Sequence, residues 1–204
     1  NFVFLRELLQ NAVDATKIQY YREYSRKCSR EEYIELKDPN AENNKKELNP
    51  LEISKRVSPL EYPIVIELSV KKRLYNEMYE EVFEDITEEE MNDPKKNLQN
   101  CECGVLVKIR DRGTGISEKD IKQIADVGTS YEAKKEEIKQ MPKWLQPTGT
   151  FGIGLQSVFL AGKSLKAYTH AMESQPFDIT FYPRQEGKRG YINVMPRKTK
   201  AMFD

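Results

Sequence analysis

The sequence is poor in the residues that build disulfide frameworks and metal sites. It contains three cysteines and one histidine among 204 residues. An odd number of cysteines argues against a disulfide framework and favours a reducing compartment. Cys101 and Cys103 are one residue apart, but without a second pair or a nearby histidine they do not predict a metal site. No run approaches the ~20 apolar residues that span a bilayer, and these residues show no signal-peptide pattern, so we expect a cytoplasmic protein without a membrane partner.

The sequence also lacks a charge excess of either sign, since 33 basic residues balance 33 acidic ones. A balanced charge produces no long-range field toward nucleic acid, so we expect no nucleic-acid partner for this domain. We predict a single domain over residues 1–204. Because the sequence opens on Asn1 inside a helical pattern, we also expect it to be a piece of a longer chain.

The first helix is predicted by leucines and alanines that recur at helical spacing from Leu5 to Ala15. Within it, Glu7, Asn11 and Asp14 are spaced i, i+4 and i+7, which places all three side chains on one face. A charged helix face is often only solvated, and neighbouring polar residues show that polarity is common here. The three side chains are therefore either a converging polar site or a wet surface.

The rest of the chain predicts an α/β (α+β) two-layer sandwich, in which one mixed, mostly antiparallel sheet is covered on one face by helices. A long, partly helical connection is expected up to residue 63. Residues 74–91 show helical spacing on an acidic background, within an insertion over about 74–103. The capping pattern from Ser117 predicts a further helix. Strands are predicted at 64–70, 104–110, 164–171, 177–182 and 191–195.

Three glycines at 149, 152 and 154 lead into an apolar run that is compatible with a helix. A glycine loop that opens into a helix N-terminus offers unpaired N–H groups and a positive dipole end to an anion such as a nucleotide phosphate. Glycines also serve tight turns and close packing, so this stretch alone does not decide between the two roles.

A second glycine-containing motif follows the strand at 104–110 and contains Asp111, Gly113 and Gly115 in that order. A carboxylate at a strand end can accept a hydrogen bond from an amino group, while the glycines let a ring approach the backbone closely. An ordinary Asp-Gly turn would explain the pattern nearly as well. The polar stretch between this motif and the Gly149 loop predicts a lid over about 117–151.

Taken in order, three motifs resemble the nucleotide boxes of the GHKL (Bergerat-fold) ATPase superfamily. They are Glu7-x-x-x-Asn11-Ala12-x-Asp14-Ala15, then Asp111-x-Gly113-x-Gly115-Ile116, then Gly149-x-Phe151-Gly152-x-Gly154-x-x-Ser157. Val127-Gly128-Thr129-Ser130 and the phenylalanine of the third box look most like the N-terminal domain of the ninety-kilodalton heat-shock chaperones. The combination is far more specific than any one of its parts.

The resemblance implies a Bergerat ATP-binding fold with a lid, and a role for each matching residue. Glu7 would orient the attacking water as general base, Asn11 would ligate Mg²⁺ through its amide oxygen, and Asp111 would accept from the adenine amino group. Asp14 and Ala15 would support the pocket. The remaining implied nucleotide-binding residues are Gly113, Gly115, Ile116, Gly128, Thr129, Gly149, Phe151, Gly152, Ile153 and Gly154. Related sensor kinases typically lack the glutamate at the position of Glu7.

The sequence departs from the chaperone pattern in three places. Asp126 stands where those proteins usually carry a lysine, and the 74–103 insertion replaces a short hairpin. The threonine near adenine comes from a late strand in the family, for which Thr180 is a weak candidate unless that threonine lies beyond Asp204.

We therefore expect an ATP-binding and ATP-hydrolysing domain of a chaperone-like protein, with ATP and Mg²⁺ as cofactors. The resemblance implies lid closure coupled to nucleotide state, a client or partner protein, and a homodimer of the full-length chain. A DNA-transaction ATPase of the same fold and a nucleotide-gated interaction module with little turnover are the alternatives.

Overall fold

A computed structural model describes nine stretches of the chain, which are residues 3–28, 49–75, 81–92, 102–125, 137–148, 154–162, 165–172, 174–183 and 190–197. The fold is α+β, with a long N-terminal helix and two three-stranded antiparallel sheets. The chain forms two compact units. The first combines Asn1–Ile64 with Asp111–Asp204, and the second is Val65–Arg110.

The first unit is built on helix α1, Val3–Lys27. Its sequence contains no glycine or proline, and Arg26 and Lys27 lie in its last turn, where cations stabilise the helix dipole. Its second half carries buried side chains that pack with residues from two later segments. This cluster consists of Ile18, Tyr20, Tyr21, Tyr24, Ile53, Val57, Met141 and Leu145.

Helix α2, Pro50–Arg56, confirms part of the predicted helical connection. Asn49 caps it by accepting a 3.0 Å hydrogen bond from the Glu52 N–H, and proline occupies the first helical position, where no N–H is needed. Ile53 is fully buried against α1. The Tyr20 hydroxyl donates to the Val57 carbonyl at 2.9 Å, so a polar contact also joins the two helices.

The second unit contains β1 (Val65–Tyr75), β2 (Glu81–Asp85), helix α3 (Glu88–Asn92) and β3 (Glu102–Arg110). The sheet order is β2-β1-β3, and both pairings are antiparallel. The strands predicted at 64–70 and 104–110 are confirmed. Side chains alternate between the two faces, and one face carries three directly paired apolar couples. These are Ile66 with Ile109, Leu68 with Val107, and Val70 with Val105.

The helical pattern predicted over 74–91 is wrong for most of its length. β1 continues to Tyr75, β2 covers Glu81–Asp85, and α3 is only five residues long. Leu74 and Val82 are eight residues apart, which fits one helix face, but here they face each other across the β1–β2 pair. An ion pair between Lys71 and Asp85, also directly opposite in register, adds to this pairing.

The second sheet belongs to the first unit and contains β4 (Leu165–Thr169), β5 (Phe177–Tyr182) and β6 (Tyr191–Pro196) in that order, all antiparallel. The three strands predicted here are confirmed. Phe177, Ile179 and Phe181 alternate inward along β5 and pack with Ile121 of helix α4, Glu118–Ala125. The predicted capping of α4 is confirmed, because the Ser117 N–H and hydroxyl donate to the Asp120 carboxylate while the Asp120 N–H donates to the Ser117 hydroxyl.

The strands therefore form two sheets in the described residues, where the sequence predicted one. Each sheet is completed by strands that are neighbours along the chain, with β1 central in one and β5 central in the other. No crossover strand among the described residues joins the two ladders. Within the same residues, no helix has the length and apolar character that crossing a membrane requires.

Candidate functional site

Helix α1 presents the predicted polar residues with different exposure. Asn11 is exposed, Glu7 is half-buried and Asp14 is buried. The Glu7 Oε1 accepts from the Arg6 guanidinium, at 3.1 Å from Nε and 2.7 Å from Nη2. A carboxylate is thus held at the predicted position of the general base, but in an ion pair with its neighbour.

The first and second motifs meet at Ala15 and Gly113. The Thr114 N–H donates to the Ala15 carbonyl at 3.3 Å. A Cβ placed on Gly113 would lie 2.5 Å from the Ala15 Cβ and 2.8 Å from the Asp111 Oδ1, so only glycine fits between α1 and the aspartate. The Ala15 methyl group and the Gly113 backbone therefore pack directly against each other. The structure thus brings Asp111, Gly113 and Ala15 together.

The other end of the second motif lies against β4. Gly115 has a φ of +66°, and a Cβ there would lie 2.4 Å from the His170 carbonyl oxygen. This position requires glycine both for its left-handed backbone and for the close approach. The next residue, Ile116, donates its N–H to the Thr169 Oγ1 at 2.6 Å. The segment from Asp111 to Ile116 is therefore held at both ends, by α1 and by β4.

Sequence reasoning did not identify Thr169. It is buried at the end of β4 on the inward face of the sheet, in register with Phe177. The sequence did offer one signal for Thr169, because the alternating pattern of its strand predicts that its side chain points inward. Thr180, the sequence candidate, lies on β5 between two inward residues, Ile179 and Phe181, and so faces the other side of the sheet. The structure does not bring Thr180 to the second motif.

The Asp111 carboxyl has an unusual electrostatic environment. Burial of the carboxyl by its neighbours raises the pKa of Asp111 above its ordinary value, and the hydrogen bond that it accepts from the Gly113 N–H at 2.8 Å opposes the rise. The residue as a whole nevertheless keeps exposed surface. A partly desolvated acceptor of this kind can bind a ligand N–H group strongly.

Segment 137–148 lies along α1 in the opposite direction. Arg22 pairs with Glu137 at 2.6 and 2.8 Å, and the Tyr21 hydroxyl donates to the Gln140 carbonyl at 3.0 Å. Farther along, Lys17 donates to the Gln146 carbonyl at 3.5 Å, and the Thr148 N–H donates to the Asp14 Oδ1 at 3.1 Å. As the residue number rises along the segment, its partner on α1 moves toward the start of the helix. Met141 and Leu145 are buried in the α1 core.

The third motif lies mostly outside the described residues. Gly149, Phe151, Gly152 and Ile153 of this motif lie outside the described residues, as do Gly128 and Thr129 of the Val127–Ser130 stretch. Gly154 begins a 3₁₀ segment, Gly154–Leu160, which packs beside α1 and has Val158 buried. The predicted lid includes two described stretches, 118–125 and 137–148, and both contain buried core residues. If either stretch moved, the elements that it packs against would have to move or lose contacts.

The first half of α1 also borders an open groove of about 390 Å³ lined by Leu5, Arg6, Leu9, Gln10 and Val13. At about 100° of rotation per residue, the leucines and the valine lie on the opposite side of the helix from Asn11. The groove is therefore not the place where the motifs meet.

The described residues contain no group of three or more acidic, histidine or cysteine side chains that could hold a metal ion. A protein cage for a metal is thus not found in this part of the chain. The exposed amide of Asn11 is a neutral oxygen donor of the kind that Mg²⁺ accepts.

Comparisons of the chain with protein-family models, curated protein sequences and solved structures find no match.

Proposed function

We propose that this chain is a Mg²⁺-dependent ATP-binding and ATP-hydrolysing domain with a Bergerat fold. The observation that carries the proposal is the convergence of two separated segments on one side of α1. Gly113 contacts Ala15 and Thr148 contacts Asp14. On the helix, Asn11 lies one turn earlier, between the directions of these two contacts, at about 60° from Asp14 and about 40° from Ala15.

This arrangement leaves Asn11 exposed between two backbone segments, one carrying the second motif and the other ending beside the third. A nucleotide in this position would have the Asp111 carboxylate on one side and Thr148 on the other. Asp111 would accept from the adenine amino group, while the glycines at 113 and 115 are required by the close approach of Ala15 and of the His170 carbonyl.

The donor set is compatible with magnesium bound through the nucleotide. Mg²⁺ keeps several waters and commonly takes one or two protein oxygens together with substrate phosphates, so the Asn11 amide is sufficient without a cage of carboxylates. When bound, the ion would neutralise phosphate charge. Glu7, one turn before Asn11 on the same face, would orient the attacking water and accept its proton.

The chaperone-like assignment rests on the sequence resemblance. It implies that nucleotide state is coupled to closure of a lid over about 117–151, that a client or partner protein responds to it, and that the full-length chain forms a homodimer. The described segment 137–148 contacts α1 from Arg22 to Asp14, so a displacement of this part of the proposed lid would also act on α1.

Two substitutions separate binding from turnover. Asp111→Asn replaces a charged acceptor and should weaken ATP binding by about ten- to a hundred-fold, the equivalent of about 1.5–3 kcal/mol. Glu7→Ala should leave affinity nearly intact and slow hydrolysis by about 10²–10⁴-fold. Calorimetry gives the affinity, and phosphate release from the full-length protein gives the rate.

Asp178→Asn is the matched control, because Asp178 is an exposed aspartate on β5 far from the three motifs in sequence. It should change ATP affinity by less than about twofold. Loss of ATP binding in Glu7→Ala together with unchanged binding in Asp111→Asn would reject the assignment of the motifs.

The Arg6–Glu7 ion pair favours a second candidate, a nucleotide-gated interaction module with little turnover. A guanidinium that occupies the Glu7 carboxylate competes with the attacking water for the same oxygen. Arg6→Ala distinguishes the two candidates. A several-fold rise in hydrolysis would show that the pair restrains a working base, whereas negligible hydrolysis in both forms, with ATP still bound, would favour the module.

A further inference from the structure

Asp14 is the most enclosed of the three polar residues on the α1 face. Its side chain is 11% exposed, and its Oδ1 accepts from the Gln10 Nε2 at 3.0 Å and from the Thr148 N–H at 3.1 Å. The Lys17 Nζ lies 3.9 Å from the same oxygen. The carboxylate is thus occupied by donors from its own helix and from the chain segment at 148.

These contacts place Asp14 at the end of the series that fixes segment 137–148 to α1. Gln10 reinforces this end, since its amide also donates to the Thr148 hydroxyl. Thr148 directly precedes the glycines of the third motif. The hydrogen bond from the Thr148 N–H to the Asp14 carboxylate therefore fixes against α1 the last described residue before those glycines.

We propose that Asp14 is a positioning residue, which holds the Thr148 backbone against α1, and that it does not itself bind the nucleotide. The inference rests on the proposed function for its effect on ATP, but the contact itself exists without nucleotide. A buried carboxylate that accepts a backbone N–H holds that backbone more firmly than a neutral acceptor would. The exposed Asn11 remains the residue of this face that reaches the nucleotide.

The experiment compares Asp14→Ala, Asp14→Asn and the control Glu23→Ala in the full chain. Asparagine keeps a side-chain oxygen for the Thr148 N–H but loses the charge. Glu23 is a matched control because it is a carboxylate on the same helix with a side chain only 14% exposed, and its ion pairs are with Arg26 and Lys27. The first measurement is hydrogen exchange of the Thr148 amide without nucleotide, and the second is calorimetric titration with MgATP.

Asp14→Ala should accelerate exchange at Thr148 by about tenfold or more, because the amide loses its acceptor. It should also weaken ATP binding by about fivefold or more, the scale of one lost hydrogen bond. Asp14→Asn should return both quantities to within about threefold of wild type. Glu23→Ala should leave both unchanged even where it lowers the melting temperature.

Two results would overturn the proposal. Unchanged exchange at Thr148 in a folded Asp14→Ala protein would show that Asp14 does not hold this backbone. An Asp14→Asn protein with a protected Thr148 amide but ATP affinity as low as that of Asp14→Ala would show that the charge acts on the nucleotide directly. If wild type fails to bind ATP, the proposed function fails and the effect on ATP fails with it, while the exchange result alone still decides whether Asp14 holds Thr148.

Discussion

The two units of the chain differ in how their elements are held together. In the first, Ile53 and Val57 of the α1 core are 0% exposed, and a second buried cluster lies between α4 and the β4–β6 sheet. In the second, the described part of Val65–Arg110 contains no buried side chain, and Leu68 and Val105 are 67% and 68% exposed. Its strands are joined by backbone ladders and by ion pairs such as that between Arg73 and Glu102.

The motifs lie in the unit that has the buried core. Every described motif residue lies in the first unit, on elements whose positions are fixed by buried side chains. Functional side chains need such support, because small displacements reduce binding and catalysis sharply. The second unit carries no motif residue, which agrees with its weaker internal packing.

The largest expected contrast between the units comes from deleting core atoms. Ile53→Ala should lower the free energy of unfolding by about 2–5 kcal/mol, because it leaves a cavity at a fully buried position. Leu68→Ala, at a mostly exposed position, should change it by less than about 1 kcal/mol. Urea unfolding followed by circular dichroism reports on both units. Equal losses in the two variants would mean that the β1–β3 sheet is covered in solution.

A second contrast uses one glycine from each unit. Gly115→Ala should cost about 1–3 kcal/mol, because alanine is strained at positive φ and its Cβ would meet the rigid His170 carbonyl. Gly104→Ala should cost less than about 1 kcal/mol, since its Cβ would approach only the half-exposed ring of Phe83, which can move. Thermal unfolding of the two variants tests this order, and a larger loss in Gly104→Ala would contradict it.

A third, smaller contrast concerns pH. Burial raises the pKa of Asp111, so its contribution to stability is present below the ordinary value and is lost as the pH rises through the raised value. Hydrogen bonds from Lys72 and Thr87 lower the pKa of Glu90 to about 2, so its contribution is present above the ordinary value of 4.5 and is lost as the pH falls toward about 2.

Melting temperatures of wild type, Asp111→Asn and Glu90→Gln between pH 2 and 7 check both signs. Relative to wild type, Asp111→Asn should gain stability as the pH rises from acid toward neutral. Glu90→Gln should be less stable near neutral pH, and its difference from wild type should shrink as the pH falls toward about 2. If the difference in melting temperature between either variant and wild type changed with pH in the opposite direction, the cause assigned to that residue's pKa shift would be incorrect.

The smallest contrast is between two ion pairs. Arg22→Ala removes a two-bonded pair with Glu137 in the first unit, whereas Arg73→Ala removes the pair with Glu102 in the second, whose hydrogen bond is 3.0 Å long. We expect losses of about 1 kcal/mol and about 0.5 kcal/mol or less, respectively. Double-mutant cycles with the two glutamates measure each pair, and 1 M salt should weaken both. A stronger coupling for Arg73 would reverse the comparison.

Much of the local structure could be predicted from the sequence. The helical spacing of leucines and alanines predicted α1, the Ser117–Asp120 pattern predicted the start of α4, and alternation predicted five of the six strands. The β1–β2 pair was missed because a spacing of eight residues between Leu74 and Val82 suits both a helix and a hairpin. Short apolar patterns of this kind do not determine which pairing wins.

The candidate site was predictable only in part. The glycines at 113 and 115 were predicted to let a ligand ring approach the backbone, whereas the contacts with Ala15 and with the His170 carbonyl give another physical reason for glycine at both positions. The contact between Thr148 and Asp14 joins residues 134 positions apart, and that between Ile116 and Thr169 joins residues 53 apart. Neither follows from local propensity, because a polar side chain in a helix or strand does not specify its distant partner.

The pairing of α1 with segment 137–148 also bears on how quickly the chain folds. Its hydrogen bonds join residues 115 to 134 positions apart, so a very long loop closes before any of them forms. Contacts of such high separation slow folding, since loop closure costs entropy before the contacts repay it. We expect the α1 tyrosines to become buried in a late phase of refolding, together with protection of the 137–148 amides, which pulse-labelling hydrogen exchange would detect.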